Sequence, residues 1–150
     1  MRVLLDSNVL VRALYSVGGP AEEVVRRLAL PPHVLVVSTF LLTELHRVLR
    51  YPRLQRLHGL DGQKIERAVA AVATVATHVE PRDADIVAIV PEDPDDDKIV
   101  AAAVAARADV ICTRNKHFFH EAVIAYCRRH AIEVMDDVAL LDRLRNQANG

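Results

Sequence analysis

Three short apolar runs, each closed by a polar residue and followed by a stretch of helical period, constrain this chain more than any other feature. They are Arg2–Asp6, Val34–Ser38 and Asp109–Thr113. Runs of this length, rich in β-branched and aliphatic residues, read as buried strands. A helical segment after each one is the pattern of βαβ units, whose crossovers require a parallel sheet. Weaker strands are expected at Thr77–Glu80 and Glu133–Met135, so the sheet should hold about five strands. The intervening helices are predicted at Val9–Tyr15, Ala21–Leu30, Thr39–Tyr51, Asp61–Ala76, Asp96–Ala106, Phe119–His130 and Val138–Asn146. Turn signals separate them at Gly18-Gly19-Pro20, Pro31-Pro32, Tyr51-Pro52, Gly59 to Gly62, and Pro91 to Pro94.

At 150 residues, with 51% hydrophobic and 26% charged side chains, residues 1–150 are expected to form a single domain with one substantial core. No apolar stretch approaches the roughly 20 residues that span a bilayer, so no membrane association is expected. Asp6, Asn8 and Arg12 interrupt any signal-peptide core at the N-terminus, which gives a cytoplasmic reading. Cys112 and Cys127 lack CxxC spacing and read as buried, reduced thiols rather than a disulfide or a zinc site.

The net charge of −1 hides an uneven distribution. Eight acids lie between Glu80 and Asp97 against the single base Arg82, whereas Arg47, Arg50, Arg53 and Arg56 recur every third position with no acid among them. An acidic pocket within a more basic surface suits a metal enzyme acting on polyanions, although an arginine stripe is also the ordinary composition of a solvated helix face.

In an open parallel sheet the site lies beyond the carboxyl ends of the strands, which directs attention to Asp6, Ser38 and Thr113. Asp6 sits at a strand-to-helix turn, where it could equally cap the helix that follows. Glu44 lies at the edge of the apolar stripe Leu41, Leu42, Leu45, Val48 and Leu49, from which it can lean into a cleft. The run Glu92-Asp93-Pro94-Asp95-Asp96-Asp97 then opens an apolar helix. So many adjacent acids repel one another beyond what capping needs, which implies a nearby cation. Asp97 shares a face with Val100, Ala101 and Val104; because this helix is apolar nearly all round, Asp95 and Asp96 remain alternatives. Carboxylates without cysteine or paired histidines make an oxygen-rich site for Mg²⁺ or Mn²⁺, and phosphodiester hydrolysis is the chemistry such ions support. Among seven histidines only His117 and His120, at i and i+3 beside Lys116, show any ligand-like spacing; with Arg114 they could instead form a rim facing phosphate. Tyr51, Phe118 and Phe119 are candidates for stacking on bases, with core packing the simpler reading for the two phenylalanines.

These residues, in order, resemble a known family. Asp6-Ser7-Asn8-Val9-Leu10, Ser38 with Glu44 six positions on, Asp97-Lys98-Ile99-Val100-Ala101-Ala102-Ala103, and Ala108-Asp109 leading to Thr113-Arg114-Asn115 look like the ordered motifs of PIN-domain nucleases, in particular the bacterial toxins related to VapC. Leu49-Arg50-Tyr51-Pro52-Arg53-Leu54 is similar to the stretch after the glutamate in a toxin subgroup. The resemblance covers nearly the whole chain. It implies an α/β/α sandwich on a parallel sheet, a divalent metal in a cleft, RNA as substrate, homodimerisation and an antitoxin partner. It also implies that Asp6, Glu44 and Asp97 are the acidic metal-site residues, with Asn115 at a fourth, commonly acidic, position. Asn8, Ser38, Thr113, Asp93, Asp95 and Asp96 would support the site, and Arg47, Arg50, Arg53, Arg114 and Lys116 would face RNA.

Two other readings fit parts of the sequence. A phosphoryl-accepting protein of HAD or receiver type would also place an aspartate after its first strand, although a HAD protein wants a second aspartate where Asn8 stands. A catalytically weak module that binds RNA or a partner would tolerate the uncharged Asn115.

Overall fold

The computed structural model describes residues 1–90 and 93–150. Five strands form one parallel sheet: β1 (Arg2–Leu5), β2 (Val34–Val37), β3 (Thr77–His78), β4 (Val110–Cys112) and β5 (Glu133–Met135). Their spatial order is β3-β2-β1-β4-β5. The chain therefore builds outward from β1 in one direction, through β2 and β3, and then returns to its other side with β4 and β5. The crevice between β1 and β4 is the switch point, where the loops leaving the two strands diverge.

Strand alternation divides the core in two. Val3 and Leu5 face one layer with α1 (Ser7–Tyr15), α2 (Pro20–Leu28), α5 (Gly62–Val75) and α8 (Asp137–Ala148), while Leu4 faces the other with α6 (Pro94–Ala105) and α7 (Glu121–Arg129). α3 (Thr39–Leu49) contributes Leu45 and Leu49 to the first layer and Leu41 to the second. The result is an α/β/α sandwich in which β1, buried on both faces, carries Asp6 at its end.

The arginine stretch does not form one helix. α3 stops at Leu49, and a separate helix, α4 (Pro52–His58), begins with Pro52 in its first turn and ends at Gly59 with φ 68°. Proline lacks an N–H that the first turn would leave unpaired anyway, and glycine adopts the left-handed cap without a Cβ clash. The Tyr51-Pro52 signal thus marks a helix start as well as a turn: the helix expected over Thr39–Tyr51 ends two residues early, and α4 is one the sequence reading did not expect. Cys112 and Cys127 are buried free thiols, and burial pushes the Cys127 thiol up to about 11. Among the described residues no helix is long and apolar enough to cross a membrane.

Candidate active site

The sheet brings two polar strand ends together. β1 and β4 pair in register from Val3 opposite Val110 to Leu5 opposite Cys112, so the next residues, Asp6 and Thr113, emerge side by side. Asp6 is only 3% exposed. One of its oxygens accepts the Ser7 N–H at 2.8 Å; the other accepts the Thr113 hydroxyl at 2.8 Å and the Asn8 amide at 3.1 Å. Asn8 also accepts the Arg114 N–H at 3.1 Å, and Thr113 accepts that of Asn115 at 3.0 Å. The two loops are thereby tied around one carboxylate, with Asn8 and Thr113 as its braces.

Beyond this lies a cleft of about 360 Å³ whose lining includes Asp6, Glu44, Asp93, Asp96, Arg53, Arg114 and Asn115. Glu44 arrives on α3, which is started by Ser38, whose hydroxyl accepts the Leu41 N–H at 3.2 Å. Ser38 itself lines a different depression, with Thr39, Phe40 and Lys98. Its part is to cap the helix that presents Glu44. Asp93 and Asp96 come from the start of α6, where Asp93 caps the helix by accepting the Asp95 N–H at 3.1 Å.

The register through the acidic run differs by one residue from the sequence expectation. Asp97 does not line the cleft. It is buried, and its Oδ1 accepts the N–H groups of Ile89 and Val90 at 2.9 and 2.7 Å, pinning the segment that leads to α6. Asp96 occupies the cleft-facing place that Asp97 was expected to fill. Asp95 is exposed, with its carboxylate 3.4 Å from Lys98. Glu92 lies outside the described residues.

Asn115 is also placed differently from an oxygen ligand. Its Oδ1 accepts the His117 N–H at 3.0 Å, closing the 3₁₀ turn over Lys116–Phe119, and its amide donates to Asp96 at 2.9 Å. It braces an acid instead of presenting an oxygen to the cleft. Of the arginines expected to face RNA, Arg53 and Arg114 reach the cleft, where Arg12 of α1 joins them, whereas Arg47 stacks on Tyr51 and donates to its phenol, and Arg50 pairs with Glu66 at 3.0 Å. The helix break separates residues whose three-residue spacing suggested one face. Lys116 is exposed and outside the cleft lining, and Phe118 is buried in the core.

Sequence reasoning missed Asp137. It is fully buried and meets Arg114 Nε at 2.6 Å, so the arginine at the cleft is held from behind. The pair Asp136-Asp137 before an apolar helix looks like plain capping, and only Asp136 does that work, accepting the Ala139 N–H.

Electrostatically the cleft is crowded. Burial pushes the Asp6 carboxyl above its usual range, against the hydrogen bonds from Thr113, Ser7 and Asn8. Burial and then the charge of Asp6 raise Glu44, against the charge of Arg47 and a hydrogen bond with Ser7. Asp96 is raised to about 7, by burial first and then by Asp93, Asp6 and Glu44. Among the described residues none of these four acids has an ion-pair partner. Carboxylates that raise one another, with arginines near but none paired to them, fit a divalent ion.

A pH test follows from these directions. An acid whose folded pKa lies above its unfolded value binds more protons when folded, so its contribution becomes destabilising as pH rises between the two values. In the absence of metal, the stability gained by Asp96→Asn over the parent should therefore grow from about pH 4 to about pH 7. Melting curves in chelator across that range check it; a constant difference would contradict the crowding described above.

No match was found among curated protein sequences. The fold is similar to VapBC2 from Rickettsia felis, whose structure is bound to a promoter DNA fragment, with TM-score 0.61, 14% identity, and coverage of 91% of this chain and 98% of that one. It is also similar to VapBC-1 from nontypeable Haemophilus influenzae, with TM-score 0.59, 20% identity, and coverage of 92% and 99%. Residues 2–117, which contain both strand ends, Glu44 and the acidic run, match the family model of the PIN domain, and the chain accordingly belongs to the PIN domain family.

Proposed function

We propose that this PIN domain is a divalent-metal-dependent endoribonuclease that hydrolyses RNA phosphodiester bonds as the toxin of a toxin–antitoxin pair. The observation that carries the reading is the convergence of Asp6, Glu44, Asp93 and Asp96, from three separate parts of the chain, on one cleft flanked by Arg53 and Arg114. Asp6, Glu44 and Asp96 would hold Mg²⁺ or Mn²⁺, with Asp93 beside them. When bound, such an ion polarises a phosphoryl oxygen and makes water a usable nucleophile near neutral pH. Thr113 and Asn8 fix the Asp6 carboxylate, Asn115 fixes that of Asp96, and Asp137 aims Arg114 toward the position of a phosphate. Arg53 and Arg114 then offset the repulsion between substrate and acids.

Membership of the PIN family displaces the phosphoryl-acceptor alternative. The similarity in fold to VapBC chains supports an antitoxin partner and, with the sequence resemblance, a homodimer acting in the cytoplasm. One observation favours a second reading, a catalytically weak RNA- or partner-binding module: Asn115 adds no charge at a position where an acid is common. An RNA cleavage assay separates the two. The nuclease reading expects cleavage with Mg²⁺ or Mn²⁺ that stops in EDTA and returns when metal is restored; RNA binding without metal-restored cleavage supports the module.

The arginines predict a second result. Arg53→Ala should reduce the slope of log affinity for RNA against log salt by about 1, as loss of one phosphate contact does. Arg50→Ala should leave the slope unchanged, because Arg50 is already paired with Glu66. Salt titrations of RNA binding by the parent and both variants measure this, and equal slopes in parent and Arg53→Ala would remove Arg53 from the interface.

A further inference from the structure

Asp93 and Asp96 line the α6 end of the cleft, and His117, just outside that lining, completes a group in which each residue places one ligand-type atom within 4.8 Å of the other two. These residues come from two segments of the chain, the start of α6 and the 3₁₀ turn after β4, and Asp96 belongs to the acid set already described. His117 Nδ1 is buried and has no hydrogen-bond partner among the described residues. A buried ring nitrogen with nothing to bond is costly, and a neutral imidazole has a lone pair to offer a metal.

The neighbouring side chain that would otherwise supply a donor is committed elsewhere. Asn115 uses its oxygen on the His117 N–H and its amide on Asp96. These same two bonds set the turn on which the His117 ring sits and the carboxylate it approaches. In this corner, then, the residue types left to donate are two carboxylates and one imidazole.

We propose that His117 is a nitrogen ligand of the same divalent cation, joining it through the corner where Asp96 binds and Asp93 stands beside it. It rests on the metal-dependent reading above and deepens it by setting the choice of ion. Mg²⁺ strongly prefers an all-oxygen octahedron, whereas a transition ion such as Mn²⁺ accepts imidazole nitrogen. The site should therefore favour Mn²⁺ over Mg²⁺, and His117 should be the cause of that preference.

The test uses Mn²⁺ itself as the probe, bound to the full chain labelled with ¹⁵N-histidine. Electron spin-echo envelope modulation should show coupling of the ion to a histidine nitrogen, and His117→Gln should remove it. Calorimetric titration should show His117→Gln weakening Mn²⁺ by about tenfold or more while changing Mg²⁺ little, which closes the gap between the two ions. The spectrum of the parent protein stands even if the variant folds poorly. Mn²⁺ bound to the parent without nitrogen coupling would overturn the assignment of His117 and leave the acid site intact. Binding of neither ion by the parent would overturn both.

Discussion

Asp6→Asn should lower metal-supported RNA cleavage by at least about 10²- to 10³-fold, the scale seen when one preorganised electrostatic contact is lost. The substitution removes a charge without removing volume. Asn at this position can still accept the Ser7 N–H, so the strand-to-helix turn has no reason to unfold. Its amide would, however, face the Thr113 hydroxyl and the Asn8 amide, both of which now donate to a carboxylate oxygen. Correct melting with lost cleavage is the expected pair of results. Cleavage at the parental rate by a well-folded Asp6→Asn protein would show that the cleft is not where the chemistry occurs.

Asp97→Ala should be the most destabilising of the acidic-run substitutions, by about 2–4 kcal/mol in metal-free protein, because it leaves the Ile89 and Val90 N–H groups without their charged acceptor. For a chain of this length that corresponds to a melting temperature lower by roughly 5–15 °C. Asp97→Asn keeps an acceptor oxygen in place and should cost only about 1 kcal/mol. Asp96→Asn has the opposite sign near neutral pH, since it relieves a crowded carboxyl already raised to about 7. Thermal melts of the three variants in chelator check the order, and an Asp97→Ala protein as stable as the parent would contradict the buried role assigned to this residue.

The sheet was legible because strands and helices alternate with different periods. Val3, Leu4 and Leu5 are apolar in succession, as a strand covered on both faces must be, and all five strands lie where the apolar runs place them. Asp6 was visible as a charge at the end of such a run, and Glu44 as a polar break at the edge of a stripe. The choice among Asp95, Asp96 and Asp97 was not legible. α6 buries Ile99, Val100, Ala101, Ala102 and Ala103 consecutively, so its sequence has no polar face from which to read a direction. Which aspartate meets the cleft is decided by tertiary contacts, Asn115 reaching Asp96 and two loop amides reaching Asp97. The arginines do not share one helical face for a local reason: Pro52 starts a new helix and resets the phase between Arg50 and Arg53. Asp137 carried no signal of its own, since its value comes from Arg114, 23 residues away.

The divalent cation proposed at Asp6, Glu44 and Asp96 is tested most directly by the Mn²⁺-induced shift in melting temperature of the parent, Asp96→Asn and Asp97→Asn. At about 100 times its dissociation constant a ligand stabilises the folded state by roughly 2.7 kcal/mol, a shift of about 5–10 °C at this size. The parent and Asp97→Asn should both show it, and Asp96→Asn should lose most of it. A full shift in Asp96→Asn together with its loss in Asp97→Asn would contradict the arrangement of the cleft described here.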